Sequence, residues 1–413
     1  MRQHFLALRR DVQTSPLNPS TGQLLPPTAA RLWVPMVSGS VALLMLGVQP
    51  IVLGEMLSAG RVSLEGVGVV AMAEIVTLGL GVLLGDLLAW LQRLRGLTLG
   101  SGLAIVALNL LTPAMQGDVA LALVRAAAGL AEGLLLWVTT AFIVRSQRPA
   151  RMAGVFFVLQ TGAQALVGLL LARWVIPAQG WPAAFWVLAV AAVLPLLLLE
   201  VLPAALAPQV AAGAPGDEQR AAPGQRRWTP PAVLALLAVF LLMATLGALW
   251  AYAEPLGQRA GLDALAAQTV IAAALVAQIA GGTAGTALVG RWPPGPVLAL
   301  AALLLGGVAL AVYATAAQAA WFFPLCMAFA FVWLFMVPFH TALAFAVDRS
   351  GRVASLMPAA QLLGSAAGPL VASLVVEGDD ASRAVLVSVG CGVAALLVLL
   401  STRGLRAAAE RAD

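Results

Sequence analysis

Lysine is absent from this chain of 413 residues, and histidine occurs only twice. A chain without lysine has no GxxxxGK phosphate-binding loop and no Schiff-base amine, and two histidines leave no HExxH zinc site. No GxSxG nucleophile turn is present either. We therefore expect no enzyme, no metal and no cofactor. A serine- or carboxylate-based enzyme within the bilayer stays an open alternative.

Charged residues are also scarce, because they make up 10% of the chain while 61% of its residues are hydrophobic. A soluble domain has about a quarter of its residues charged. The composition therefore predicts an integral membrane protein, and crossing the hydrocarbon core takes about 20 apolar residues in each helix. We identify twelve apolar runs, at 33–56, 64–90, 97–115, 119–144, 153–176, 182–204, 231–253, 265–290, 296–317, 320–347, 353–376 and 383–402.

The arginines predict how these spans are oriented. With the N-terminus in the cytoplasm, eighteen of the 23 basic residues fall on the cytoplasmic side. Four fall outside, namely Arg61, Arg173, Arg259 and Arg383, and Arg125 lies inside a span. Basic residues concentrate in cytoplasmic loops, so both termini are expected in the cytoplasm. This placement explains the basic charge without a nucleic-acid partner.

One connection divides the chain into two halves. Residues 205–230 combine proline, glycine and charge in a way that neither spans a membrane nor forms a core. We therefore expect an all-α protein with a cytoplasmic tail at 1–32, a six-helix bundle at 33–204 and a cytoplasmic linker at 205–230. A second six-helix bundle at 231–402 and a tail at 403–413 follow. Cys326 and Cys391 both lie in predicted spans, which argues against disulfides.

The sequence resembles the major facilitator superfamily over nearly its whole length, and three segments carry the resemblance. In the fourth span, RAAAGLAEG is similar to the family's arginine segment, with Arg125, Gly129 and Gly133. GWPAAFWVLAVAAVLPLLLL at 180–199 resembles the entry into the sixth span, and DRSGRVASLMPAAQLLGSAAGP at 348–369 resembles the connection from span ten to span eleven. The resemblance implies two bundles around a central cavity, a secondary transporter and alternating access.

The resemblance also implies gating residues at the cytoplasmic ends of the helices. These are Asp86, Arg93 and Arg95 between spans two and three, and Asp348 and Arg352 between spans ten and eleven. Two positions depart from the family pattern. Val82 stands where the family has glycine, which implies an altered clasp, and QTGAQALVG in the fifth span lacks the Gly-Pro motif of many exporters.

Ionisable residues within spans are costly, by at least about 2.5–3.5 kcal/mol each, and normally face the bundle interior. Glu74, Arg125, Glu132 and His340 are the candidates for proton coupling. Arg125 and Glu132 are seven residues apart and share a helix face. Gly129 and Gly133 allow a neighbouring helix to approach closely. Glu74 is the candidate third partner on that helix. Structural roles remain open for each: a gating or helix-end partner for Arg125, a neutral hydrogen-bonded acid for Glu74 or Glu132, and a neutral imidazole for His340.

Polar and aromatic groups at membrane depth are the candidates for substrate binding. They are Arg125, Gln49, Gln164, Gln278, Gln361, Tyr252 and Trp333. Each glutamine is alternatively an interhelical contact, worth about 0.6 kcal/mol, and the aromatic residues are alternatively packing or interface anchors.

These features predict a monomer in the bacterial inner membrane that carries a small amphipathic or anionic organic solute. Its partners are the solute, protons and the lipid bilayer, and proton symport is the favoured mode. Proton-driven drug or metabolite efflux is the first alternative, and a passive channel or facilitator is an alternative of another class. The sequence does not name the substrate.

The arginine distribution gives a testable topology. In a chain without Cys326 and Cys391, a cysteine placed in the 205–230 linker should react with impermeant thiol reagents only after the cells are opened. A cysteine at Asp263 or Asp379 should react in intact cells. Labelling of the linker in intact cells would overturn the orientation.

Overall fold

The computed structural model describes residues 33–87, 93–144, 149–203, 205, 229–315, 318–348, 352–377 and 380–409, and the structural statements below concern these residues. The described chain is helical apart from turns and two isolated bridges, Val289 with Trp292 and Glu377 with Asp380. It is therefore an all-α structure. The bilayer requires this, because a helix satisfies its own backbone hydrogen bonds where no water is available.

The first half contains eight helical segments. They are α1 (Trp33–Ala42), α2 (Leu44–Ser58), α3 (Leu64–Leu87), α4 (Leu94–Leu111), α5 (Asp118–Val144), α6 (Pro149–Leu170), α7 (Ile176–Gln179) and α8 (Pro182–Leu197). A break at Leu43 separates α1 from α2, which together form the first span. A π-helical turn at Leu171–Val175 joins α6 to α7, and Gly180, with φ of 76°, ends α7.

The second half contains seven helices. They are α9 (Pro230–Trp250), α10 (Ala253–Arg259), α11 (Ala264–Leu288), α12 (Pro294–Ala314), α13 (Ala319–Val347), α14 (Arg352–Ser373) and α15 (Ser382–Ala409). Asp263 caps α11 by accepting a hydrogen bond from the backbone N–H of Ala266 at 2.6 Å. Prolines stand in the first turn of α9 and of α12, where no helical N–H is needed.

Ten of the predicted spans are long and apolar enough to cross a membrane. The sixth predicted span, α8, is a shorter apolar helix of 16 residues. The eleventh, α14, is 22 residues long but is not one of the ten. Its polar residues and two internal prolines, Pro358 and Pro369, give it less apolar character than its neighbours. The total of twelve spans therefore stays a prediction.

Close helix contacts repeat in corresponding places of the two halves. A Cβ at Gly133 of α5 would overlap the backbone carbonyl of Leu78 on α3. In the second half, a Cβ at Gly281 or Gly285 of α11 would overlap the carbonyl of Phe331 or Phe335 on α13. Small residues four apart let helices pack backbone against backbone in a membrane. The second and fourth spans, and the eighth and tenth, are therefore paired in the same way.

The helices alternate in direction, so the connections fall at two ends of the molecule. The distal end carries connections 59–63, 112–117, 180–181 and 251–263 and residues 315, 318, 374–377 and 380–381. We call the opposite end, at which α8 ends and α9 begins, the linker end. At the distal end, Asp118 accepts hydrogen bonds from the backbone and hydroxyl of Ser63. At the linker end, Arg95 donates to the carbonyls of Leu202 and Glu200, at 2.7 and 2.9 Å.

The two halves meet in the distal part of the molecule. Gly68 on α3 packs against α14, because a Cβ there would overlap the carbonyl of Pro369 and lie 2.7 Å from the Cβ of Ser373. Gly168 on α6 lies against Ala272 of α11, at 3.6 Å from a Cβ built on the glycine. The absence of a side chain at Gly68 lets the halves approach closely at this point.

Candidate functional site

Arg125 lies at the centre of a buried polar group in the first half. It is 1% exposed, and its guanidinium binds three side chains from three helices. Nε donates to Glu74 Oε2 of α3 at 3.2 Å, and Nη2 also donates to Glu74 Oε1. Nη1 donates to Asn109 Oδ1 of α4 at 2.9 Å, and Nη2 donates to Glu132 Oε1 of α5 at 3.3 Å. We call Glu74, Asn109, Arg125 and Glu132 the polar cluster.

The helix spacing and one glycine bring the cluster together. Arg125 and Glu132 are seven residues apart, so about two turns of α5 place both side chains on one face. Between them, Gly129 has no side chain, and a Cβ there would overlap the backbone carbonyl of Glu74. Since α3 can therefore lie directly against α5, the Glu74 carboxylate reaches the guanidinium. The sequence analysis named Glu74 as the third partner of Arg125 and Glu132, and the structure contains the contact between Arg125 and Glu74.

The cluster is electrically unbalanced, since it contains one permanent cation and two acids. Arginine is not deprotonated in proteins, so the guanidinium charge is fixed. With both carboxylates ionised the cluster carries a net charge of about −1, and with one proton bound it is neutral. Burial makes the charged form costly, because Glu74 and Glu132 are only 2% and 4% exposed. The Phe185 ring, 5.6 Å from the guanidinium carbon, covers the cation from α8.

His340 lies apart from the polar cluster, on α13 in the second half. It is fully buried, and its Nδ1 lies 2.9 Å from Nε2 of Gln361 on α14. Its Nε2 has no hydrogen-bond partner within the described part of the chain. The four residues expected to couple protons thus form one group of three and one separate histidine.

Among the candidate substrate residues, Gln164 contacts the first span, and Trp333 packs on a tryptophan that joins the two halves. Gln164 Nε2 donates to the Leu43 carbonyl at 2.6 Å, which fixes α6 against the first span. Trp250 Nε1 donates to the Leu46 carbonyl at 3.3 Å, from one half to the other. Trp333 meets the Trp250 ring edge to face, with centroids 5.4 Å apart.

Three further candidates carry buried polar atoms that lack a hydrogen-bond partner among the described residues. These are Gln49 Nε2, Gln278 Nε2 and the Tyr252 hydroxyl. Gln49 follows Leu46 by three positions, so both lie on the face of α2 that meets Trp250. A buried donor without a partner is costly, which makes these atoms suitable for contacts with a bound molecule.

The structure describes the side chains of three of the five predicted gating residues. Asp348 accepts a hydrogen bond from the backbone N–H of Val353 at 3.0 Å and so caps α14. Arg95 holds the end of the sixth span, as described above, and Arg93 is exposed. The side chains of Asp86 and Arg352 lie outside the described residues. The gating role of these five residues stays a prediction.

Two residues of interest were missed by the sequence analysis. Asn109 binds Arg125, and the available signal was an amide within an apolar span. Glu254 is fully buried on α10 at the distal end, and the signal was an acid directly after the apolar run of the seventh span.

Comparisons with known proteins agree with this architecture. A family model described as Major Facilitator Superfamily matches residues 36–369. A solved structure of a mutant of the nucleoside transporter NupG matches with a TM-score of 0.66 and 12% sequence identity, covering 90% of this chain and 99% of that one. No curated protein matches the sequence. At this identity the structural match shows the fold alone.

The polar cluster predicts strong coupling between Arg125 and Glu132. Arg125→Ala leaves two buried acids without their cation and should destabilise the protein by about 3–5 kcal/mol. Adding Glu132→Gln removes one of those acids, so the double variant should lose less than the sum of the two single losses. Unfolding in detergent measures this. The exposed pair Arg383→Ala and Glu377→Gln is the control, since its side chains are 49% and 75% exposed and should add almost independently. Strict additivity at Arg125 and Glu132 would contradict the coupling.

Proposed function

The chain belongs to the Major Facilitator Superfamily, and from this we propose that it is a proton-coupled secondary transporter of a small, neutral, amphipathic organic solute. Membership of the family supports the transporter class. The coupling to protons rests on one observation, the polar cluster of one arginine and two buried acids. The solute class rests on the amides and indole rings between the halves.

The cluster supports proton coupling because its charge changes with a single proton. With both carboxylates ionised the site carries a net charge of about −1, and one bound proton makes it neutral. The cluster lies within the first half, and α3 carries both Glu74 and the surface that packs against α14 of the second half. Gain or loss of the proton therefore changes the charge on a helix that lies at the moving interface. This is how we propose that protonation biases the position of the two halves.

We further propose that Arg125 couples protons and does not bind the solute. Its guanidinium is 1% exposed and already engaged by Glu74, Glu132 and Asn109. An anionic solute would compete with two carboxylates for one cation. A neutral solute meets no such obstacle, and buried amide donors without partners among the described residues, together with a pair of packed tryptophans, suit a flat apolar group that carries hydrogen-bonding edges. Nucleosides have this character and are suitable probes.

The proposed setting is the bacterial inner membrane, with the linker end in the cytoplasm and the distal end outside. The arginine distribution supports this orientation. With the distal parts of the halves in contact, the described structure corresponds to a state closed on the outer side. We favour symport over antiport, since the fifth span lacks the Gly-Pro motif of many exporters.

Glu74→Gln tests the coupling in proteoliposomes. The amide keeps the hydrogen-bonding shape but has no ionisable proton, so solute exchange at equal pH should persist while accumulation driven by a pH gradient should be lost. Glu377→Gln is the matched control, because its side chain is 75% exposed and should leave accumulation unchanged. An unaltered response of Glu74→Gln to the gradient would assign Glu74 to packing. Flux in the unaltered protein that ignores pH would favour a passive facilitator.

The solute class is tested by ligand-induced thermal stabilisation of the purified protein. Neutral aromatic solutes, nucleosides among them, should raise the melting temperature, and Trp333→Ala should abolish that rise because the binding surface next to Trp250 is removed. Trp321→Ala, at a tryptophan 54% exposed, should bind as the unaltered protein does. Stabilisation by monocarboxylates that disappears in Arg125→Ala would instead support an anionic solute.

A further inference from the structure

A second acid is buried at the distal end, between the two halves and away from the polar cluster. Glu254 lies on α10, the short helix that connects the seventh span to the eighth, and it is fully buried. Its Oε1 accepts a hydrogen bond from Gln258 Nε2 at 2.5 Å. Its Oε2 has no hydrogen-bond partner within the described residues. The carboxyl packs against bare backbone of the first half, since a Cβ at Gly54 on α2 would overlap it.

The groups around Glu254 join the two halves but, within the described chain, supply no cation to it. From α2, Glu55 faces it and accepts a hydrogen bond from Gln268 Nε2 of α11. Gln258 of α10 also donates to Ser58 Oγ of α2 at 3.2 Å. The neighbouring Arg259 is engaged by Asp380 on the exposed surface. From α13, the apolar ring of Phe322 packs near Gly257. Two acids and neutral amides therefore form this part of the interface.

This environment favours the protonated form of the carboxyl. Burial raises the pKa of Glu254 to about 7, against an ordinary value near 4.5, and the charge of Glu55 acts in the same direction. Hydrogen bonding from Gln258, and to a smaller extent from Gln268, opposes this rise only in part. When the halves separate at the distal end, the carboxyl gains water and moves away from Glu55, so its pKa returns toward the ordinary value.

We propose that Glu254 is a proton-binding site that keeps the distal ends of the two halves together when it is protonated and lets them separate when it is ionised. The observations that carry this proposal are an acid buried between the halves, one carboxyl oxygen without a partner among the described residues, and Glu55 opposite it. It deepens the proposed function, on which it rests for proton coupling and for the side of the membrane that the distal end faces.

The direction of the pH effect follows from linkage. The closed state has the higher pKa, so it binds more protons than the open state at pH values between the two pKa values. Lowering the pH through this window favours closure, and raising it favours opening. In a symporter oriented as proposed, a more acidic exterior would promote closing of the outer side after loading. The site would thus link the proton gradient to a defined step of the cycle.

Spin labels on the two halves measure the distal separation directly. In a chain with Cys326→Ala and Cys391→Ala, labels at Gln116→Cys and Gln318→Cys sit on exposed positions of opposite halves at the distal end. Between about pH 5.5 and about pH 8, the population with the longer distance should rise by about threefold or more, since Glu254 loses its proton in this range. In Glu254→Gln the short distance should dominate at both pH values.

Two further variants keep the test decisive if Glu254→Gln fails to fold. Glu55→Gln removes the charge that raises the pKa of Glu254 in the closed state, so the midpoint of the opening should move to lower pH and the change in distance population should become smaller. Glu65→Gln, a distal acid on α3 outside this group, should leave the midpoint unchanged. A distance that ignores pH in the unaltered protein would overturn the proposal. An unchanged pH response in both Glu254→Gln and Glu55→Gln would also overturn it.

The measurement is separate from the test of the proposed function. It uses purified protein without solute or gradient, so it reports the distal interface alone. If the distance responds to pH through Glu254 while transport ignores the gradient, the proton site stands and the proposed coupling falls. If Glu74→Gln abolishes gradient-driven accumulation while the distance ignores pH, the coupling stands and the distal site falls.

Discussion

The structure depends above all on the ion pairs that bury Arg125. Removing a guanidinium from water costs several kcal/mol unless opposite charges and hydrogen bonds replace the water. Glu74, Glu132 and Asn109 supply these, and they come from three helices. The cluster therefore fixes α3, α4 and α5 to one another within the first half. The same requirement leaves one more acid than cation, and the proposed proton coupling rests on this surplus.

Close packing of helices makes that cluster possible. Glycines in α5 let α3 lie against it with no side chain between them, which brings Glu74 within reach of Arg125. In the second half, Gly281 and Gly285 place α11 against α13 in the same manner. The second half has no equivalent of the cluster at that contact among its described residues, and the backbones meet beside phenylalanines instead. A shared scaffold thus carries different chemistry in each half.

The sequence predicts the helices and part of the site well, because both follow from local periodicity. Apolar runs locate the spans, and a spacing of seven residues places Arg125 and Glu132 together. The limits are equally physical. Asn109 and Glu254 gain their importance only from neighbours on distant helices, which composition does not reveal. His340 lies at the right depth for proton transfer but in the other half, bound to Gln361. The depth of a residue is readable from sequence, whereas its partner is not.

The two acidic sites differ in what happens to them when the halves move. The polar cluster lies inside one half, so its ion pairs travel with that half, and its protonation acts on the movement only indirectly, through the charge on α3. Glu254 lies between the halves, so the movement itself changes its exposure to water and its distance from Glu55. Only a group that lies between the halves, as Glu254 does, makes closure depend directly on proton concentration. A transporter with both can bind its driving proton in one place and control access to the solute from another, and the two steps can then be altered by separate substitutions.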